Sequence, residues 1–378
     1  MRILTASALA LCLGAVPAMA EVPPTAVKLL KDRGFDPAVV ASAESELAVP
    51  ADWIAAAAKE PPLRYTGTST PEQAERYLAA FRERYPGIKI EYAEGVGAGR
   101  AVRPLATWKA GSPISDIVVA FGSSMNDYYA ADALEPLTDL PALANVPADK
   151  RDDKGRWTGM YLSNWCMAFN PTKIKREELP KTWEELVAPN GVLSGGRVGV
   201  ANRPHLWLVN LWGAKGPDWV KKDFLPAFFD NLKPQLRSEG IDGTLRLAVL
   251  GEYDVAMPAN EAVVADQAAQ GSPLEFHCLD IVPQYFSEIG MFRNSPSRYS
   301  AKLLINWLLS AEGQLTRYAA TDYVPIHDKL QSASYVPYGD IIFANKVHVR
   351  TIDLLVNQMP QVYEVWNAAW AKAGGKSN

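Results

Sequence analysis

The chain has 378 residues, 48% of them apolar and 21% charged, with a formal net charge of −4. That balance is the one of an ordinary water-soluble globule, and the absence of any long basic stretch argues against nucleic acid as a partner. The length exceeds what one hydrophobic core usually organises, so two compact units are expected.

The first twenty residues read as a secretory signal peptide. Arg2 gives a short positive start, Ile3 to Val16 is an almost uninterrupted apolar run, and Ala18-Met19-Ala20 places small residues at the cleavage site before Glu21. The run is shorter than the ~20 residues a bilayer requires, and no later segment reaches that length without a charge. Cys12 lies inside the apolar run and no cysteine follows Ala20 directly, so a lipid anchor is not expected. A free periplasmic protein beginning at Glu21 is the expectation. After processing, Cys166 and Cys278 are the remaining cysteines of the chain. In an oxidising compartment they are either one bridge or two buried, inert thiols. Neither stands in a CxxC or metal-ligand spacing.

Residues 21–61 are weak helices separated by Pro23-Pro24, Pro50 and Pro61-Pro62, an extension with no site residues. Leu63 to Gly67 reads as a strand, and Thr70-Pro71-Glu72 opens a helix over 72–85. Its apolar stripe is Ala74, Tyr77, Leu78 and Phe81. Ile88 to Tyr92 alternates as a second strand, and Asp116 to Ala120 is a buried one, followed by the turn Gly122-Ser123-Ser124 and a helix from Met125 to Ala133. This strand–helix order implies an α/β fold with a mostly parallel sheet. Met160 to Asn170 is an extended stretch too long for one ordinary strand. Thr182 and Glu185 read as a capping box. Arg197 to Ala201 and Tyr253 to Met257 are strands, with helices near 205–213, 217–232 and 243–250 between them. Ala301 to Leu309 and the tail Thr351 to Ala373 are further helices.

Several of these residues together resemble a family. Tyr65-Thr66-Gly67-Thr68-Ser69, Ala79 to Ile88, Asp116 to Val119, Gly155 to Gly159, Phe169-Asn170, Glu178 to Leu186, Gly251 to Asp254 and Ser310 to Gln314 follow in order. The series is similar to extracellular solute-binding proteins of the ferric-iron and organic-solute type, from about 63 to 330. The resemblance implies a two-lobed type II periplasmic-binding fold, with a ligand cleft between lobes joined by crossing strands. It places lobe 1 at 62–163 plus 283–330 and lobe 2 at 164–282 plus 331–378. The stretch 160–170 becomes one crossing and Leu274 to Val282 the return, which would bring Cys166 and Cys278 close enough to bond.

In such a fold the cleft is lined by strand-end turns and helix N-termini, which seat anions well. The resemblance makes Thr66, Thr68, Ser69, Ser123, Ser124, Asn202, Arg203, Arg237, Ser238 and Thr244 candidate ligand contacts, with a plain helix cap as the bland alternative for each hydroxyl. Trp165, in the crossing, offers either a ligand face or ordinary core packing. Asn260 and Glu261, further candidate ligand contacts with Glu261 suited to a ligand amine, stand where iron-binding relatives carry an adjacent tyrosine pair. Ferric ion prefers phenolate and carboxylate oxygen, so that exchange removes most of the donor set.

The leading expectation is therefore capture of a small organic solute, anionic or zwitterionic, by a monomer that closes on it and docks on a membrane ABC permease. Neither cofactor nor metal is expected. The alternative is ferric binding through Glu261, Tyr285 or Tyr323 with an added anion. An enzyme is disfavoured: the chain has no GxSxG and no HExxH, and its histidines (205, 277, 327, 348) are widely spaced. Gly95-Val96-Gly97-Ala98-Gly99 lacks the Lys-Ser/Thr ending of a phosphate loop.

Overall fold

A computed structural model describes residues 21–96 and 99–376. The expected cleavage after Ala20, and Gly97 and Ala98 of the glycine loop, lie outside the described residues. Twelve strands follow in chain order: β1 Leu63–Gly67, β2 Ile90–Glu94, β3 Ile117–Val119, β4 Leu134–Glu135, β5 Thr158–Phe169, β6 Val198–Ala201, β7 Gln235–Arg237, β8 Val255–Asn260, β9 Glu275–His277, β10 Ile281–Phe292, β11 Val324–Pro325 and β12 Lys346–Val349. Their order is β2-β1-β3-β10-β5-β8-β6-β7.

Two strands of twelve residues organise the molecule. β5 is buried along its whole length. Its first half pairs antiparallel with β10, from Thr158↔Ile289 to Asn164↔Gln284. Its second half pairs with β8 on one side and β9 on the other. β5 therefore belongs to two sheets at once. The first sheet carries the parallel pairs β1–β2 and β1–β3, the second carries β6–β7 and β6–β8. A strand buried on both faces in two successive sheets shows no alternation of apolar and polar residues, and its buried polar members at the junction are hydrogen-bonded, as Asn164 is to Glu261.

The return crossing differs from the expectation. It is β10, Ile281–Phe292, and the stretch 274–282 is broken between β9 and β10. Pro283 lacks an N–H and sits at the start of β10, where it faces β12. Ser287 and Glu288 flank a register shift against β5. Cys278, just after β9, is disulfide-bonded to Cys166 of β5 with a Cα separation of 5.0 Å.

Helices cover both sheets. Pro71–Arg84 begins one residue before the expected start and carries a full capping box: Thr70 accepts from the Gln73 N–H, and Gln73 accepts from the Thr70 N–H. The box expected at Thr182 is only half formed. Thr182 accepts from the Glu185 N–H, but Glu185 accepts from Lys181 instead. The single helix expected over 217–232 is interrupted by wide turns at Val220–Phe224 and Phe228–Leu232, with Pro226 between them. Proline deletes a donor and crowds the preceding turn, which an ordinary helix cannot absorb.

Two large cores result. One gathers Tyr65, Tyr77, Phe81, Phe121, Trp157, Ile289 and Trp307. The other gathers Trp183, Trp207, Trp212, Phe228, Trp366 and Trp370, so the C-terminal helix Met359–Lys372 packs on the second sheet. Val336 and Ile342 remain in the first core before the chain leaves it. The extension is bound tightly to the first unit. Leu30, Val40 and Ala43 pack on Ala311 and Leu315, and the Glu60 carboxylate accepts the N–H groups of Tyr299 and Ser300 at the start of helix Arg298–Leu309. A carboxylate there meets the positive helix end.

Candidate functional site

A cavity of about 790 Å³ opens between the two sheets beside β10. The first unit contributes Arg100, Ala120, Gly122 and Ser124. The second contributes Arg203, His205 and the C-terminal residues Leu355, Met359 and Tyr363, while Tyr285, Ser287 and Glu288 come from the crossing.

Its walls follow from local geometry. After β3, Ala120 adopts a left-handed backbone (φ 54°) and turns the chain into Gly122–Ser124. A Cβ at Gly122 would lie 2.4 Å from Leu355 and 2.6 Å from a Glu288 oxygen, so any larger residue there would have to displace both side chains. Its N–H donates to Glu288 at 3.1 Å. The other Glu288 oxygen, Oε1, is buried and has no hydrogen-bond partner among the described residues. Burial pushes the Glu288 carboxyl above the usual carboxylate range, with nearby Arg350 acting the other way.

Opposite, the turn Pro204–Leu206 follows β6. The Arg203 Nη1 donates to the carbonyl of Asn202 at 2.8 Å. His205 Nδ1 is 2.7 Å from the Tyr363 hydroxyl. Burial first, then Arg350, Arg203 and Arg100, push the His205 pKa down to about 3. The imidazole is thus neutral at any physiological pH, and the positive charge of the cavity belongs to arginines. Arg350, only 9% exposed, follows β12. It donates to the His205 carbonyl and lies 4.6 Å from the centre of the Tyr285 ring. Tyr285 in turn stacks on Trp165, 6.0 Å between ring centres. Neither Arg203 nor Arg350 has a carboxylate within ion-pair distance among the described residues. Arg350 has Glu288 as an acidic neighbour in the same lining, but neither guanidinium is locked in an ion pair, so both can turn to an oxyanion.

The cavity takes in part of the sequence expectation. Ser124 and Arg203 line it. Ser123 lies on the same turn, with a side chain outside the described set. Asn202 borders it, its Oδ1 held by the indole N–H of Trp366. Thr66, Thr68 and Ser69 stand at the end of β1, away from the lining, and Thr68 accepts from the Tyr161 hydroxyl. Trp165 backs Tyr285. Arg237 pairs with Glu239, and Ser238 is exposed. The helix expected near 243–250 starts at Gly240, so Thr244 is buried in its second turn and donates to the Gly240 carbonyl.

Asn260 caps the helix Glu261–Ala269 through the Ala262 and Val263 N–H groups. Glu261 is turned inward and 1% exposed. It accepts from the Asn164 N–H and side chain and from the Asn260 amide. Those bonds fasten β8 and its helix to the crossing strand, a structural role. Among the described residues no group of three or more His, Cys, Asp or Glu is placed to hold a metal ion.

Arg100, Glu288, Arg350 and Tyr363 were not singled out from the sequence. A lone Arg after a strand reads as a solvated cation. Glu288 left a signal: a carboxylate inside the apolar run Tyr285–Phe292 must be buried or interrupt the strand.

Two sheets sharing crossing strands, with a polar cavity at the junction, define a two-lobed α/β binding protein of the type II periplasmic-binding fold. The chain belongs to the bacterial extracellular solute-binding protein family, whose model matches residues 67–315. Solved structures agree in fold. Iron-bound HitA from Pseudomonas aeruginosa superposes with a TM-score of 0.64 at 19% identity, over 82% of this chain and 99% of that one. The iron- and citrate-bound IdiA (FutA) of Trichodesmium gives 0.63 at 17%, over 84% and 100%. AgtB of A. tumefaciens R10 in complex with agropinic acid gives 0.59 at 17%, over 81% and 97%. No curated protein matches the chain in sequence. No helix among the described residues is long and apolar enough to cross a membrane.

Proposed function

We propose that this protein is the periplasmic binding subunit of an ABC importer, and that it captures a small organic anion or zwitterion in the cavity beside β10. The observation that carries this reading is the pair Arg203 and Arg350, two guanidinium groups that form no ion pair among the described residues and line one cavity with a neutral His205. The solute's acidic group takes the arginines. Ser124 and the free Glu288 oxygen face the remainder of the ligand and favour a hydroxyl or amino group there. Closure of the two lobes about β5 and β10 would bring Ser124 and Arg203 onto one ligand. The closed monomer then docks on its permease, and the protein itself performs no chemistry.

Ferric binding is the weaker reading. Glu261 is engaged by three N–H groups, and an arginine-lined cavity repels a trivalent cation that arrives without its own anions. The neighbours with iron share the fold at 17–19% identity, which does not carry a ligand across.

The test is a thermal-shift screen of small carboxylates, phosphonates and amino acids on ligand-stripped mature protein. A true ligand at ~100 times its dissociation constant adds about 2.7 kcal/mol of stability. Arg350→Met should weaken that ligand roughly 30-fold or more, as expected for a desolvated charge pair, while the ligand-free melting point stays the same or rises. Hits that bind Arg350→Met and Arg203→Ala as well as wild type would place the ligand elsewhere.

A further inference from the structure

A second cavity, of about 680 Å³, opens at the far edge of the second sheet, where β7 is the outermost strand. Its apolar lining comes from three elements: Leu225 and Phe229 of the broken helix, Leu236 of β7, and Val365 and Ala369 of the C-terminal helix. Phe229 packs 5.3 Å from the Phe228 ring and 5.6 Å from the Trp366 ring, yet is only half-buried. The wide turn Phe228–Leu232 ends at Lys233, whose backbone is left-handed (φ 53°), and Pro234 follows. That reversal brings Pro234 and Leu236 into one lining with Phe229.

The charges in this lining are unbalanced. Lys221, Lys233 and Lys372 share it with one acid, Asp230. All four are exposed, and none forms an ion pair among the described residues. Other lysines close by are paired: Lys222 with Asp218 and Lys215 with Glu184. Three cations gathered at one opening repel one another, in a chain whose net charge is −4. Apolar surface beside unpaired ammonium groups suits a molecule with an apolar body and an acidic head. The body gains by leaving water, and the head by meeting the lysines. An inorganic anion would leave the Phe229 surface unused, and a neutral apolar molecule would leave the lysines unused. The volume falls in the ordinary range for small-molecule sites.

We infer that this cavity is a second binding site, for an amphipathic organic anion whose apolar body lies on Phe229 and whose acid group is taken by Lys221, Lys233 and Lys372. It shares no residue with the Arg203 cavity, so the inference does not depend on what that cavity binds. The two cavities do share a wall. Helix Met359–Lys372 gives Met359 and Tyr363 to the solute cavity, and Val365, Ala369 and Lys372 to this one.

The test is calorimetric titration of mature, delipidated protein with decanoate below its micellar concentration, and with decanol as the uncharged counterpart. Decanoate should bind saturably, one per chain, and decanol roughly 5-fold or more weakly. Lys233→Gln/Lys372→Gln should weaken decanoate by a similar factor without moving the melting point, because both side chains are exposed. Ala369→Trp should block the cavity with every charge in place, and Arg350→Met should bind decanoate as wild type does. Absence of saturable binding, equal affinity for decanol, undiminished binding in Ala369→Trp, or loss in Arg350→Met would each overturn the site. So would light scattering that shows the chain dimerising through this face, with Ala369→Trp monomeric.

Discussion

Replacing Cys166 and Cys278 together by alanine is expected to lower the stability of the mature protein by about 4 kcal/mol. The bridge closes a loop of 112 residues. Loop-closure entropy for a ring of that size contributes about 4–5 kcal/mol, the upper end of what a disulfide adds. The loop holds most of the second sheet, β6 to β9, so without the bridge those strands must be gathered from a freer unfolded chain. Cys166 and Cys278 also sit where β9 meets β5, one residue from the pair Met167↔His277. Urea unfolding followed by tryptophan fluorescence checks this. Adding a reductant should move the wild-type midpoint to that of the variant and leave the variant where it is. A variant as stable as wild type, or a wild type insensitive to reductant, contradicts it.

The second large effect is a pH slope from Glu261. Burial pushes this carboxyl up to about 8, against three N–H donors that work the other way. Its folded pKa thus lies above the unfolded value of 4.5. The native state then holds a proton that the unfolded chain releases between those values, so stability is fully present below about pH 4.5 and is lost as pH rises toward 8. His205, His277 and His348 have pKa values lowered by burial and give the opposite slope, which ends near 6.5. Glu288, also raised, affects wild type and variant alike. The stability difference between wild type and Glu261→Gln isolates the one group. From pH 5 to 8 that difference should fall by on the order of 2–4 kcal/mol. Parallel stability curves would show that Glu261 is ionised throughout.

Much of this architecture could be read from residue order. The stretch 160–170 announces a long extended segment by its unbroken run, which the structure extends to 158–169 as one strand, and Thr70-Pro71 announces its helix because capping is local chemistry. β10 was harder. Pro283, Ser287 and Glu288 are the residues that usually mark a strand's end, and only pairing with β5, more than a hundred residues earlier, makes them tolerable. The site shows the same division. Ser124 and Arg203 sit on turns that strand–helix order puts at one edge of the sheets. Arg350 and Tyr363 come from a C-terminal segment whose route back over the second lobe depends on Trp366 and Trp370 packing against Trp207 and Phe228, and no local pattern encodes that path. Glu261 has the reverse history. Its place after β8 drew attention to it, but the Asn164 contacts that turn it inward are long-range.

The most direct test of a binding protein for a small organic anion is native mass spectrometry of protein released from the periplasm and purified without refolding. The account predicts one retained organic adduct per chain, a carboxylate or phosphonate, in wild type, and its loss from Arg350→Met prepared in the same way. A ferric adduct in its place, with the violet colour of tyrosinate coordination or without it, would contradict the account.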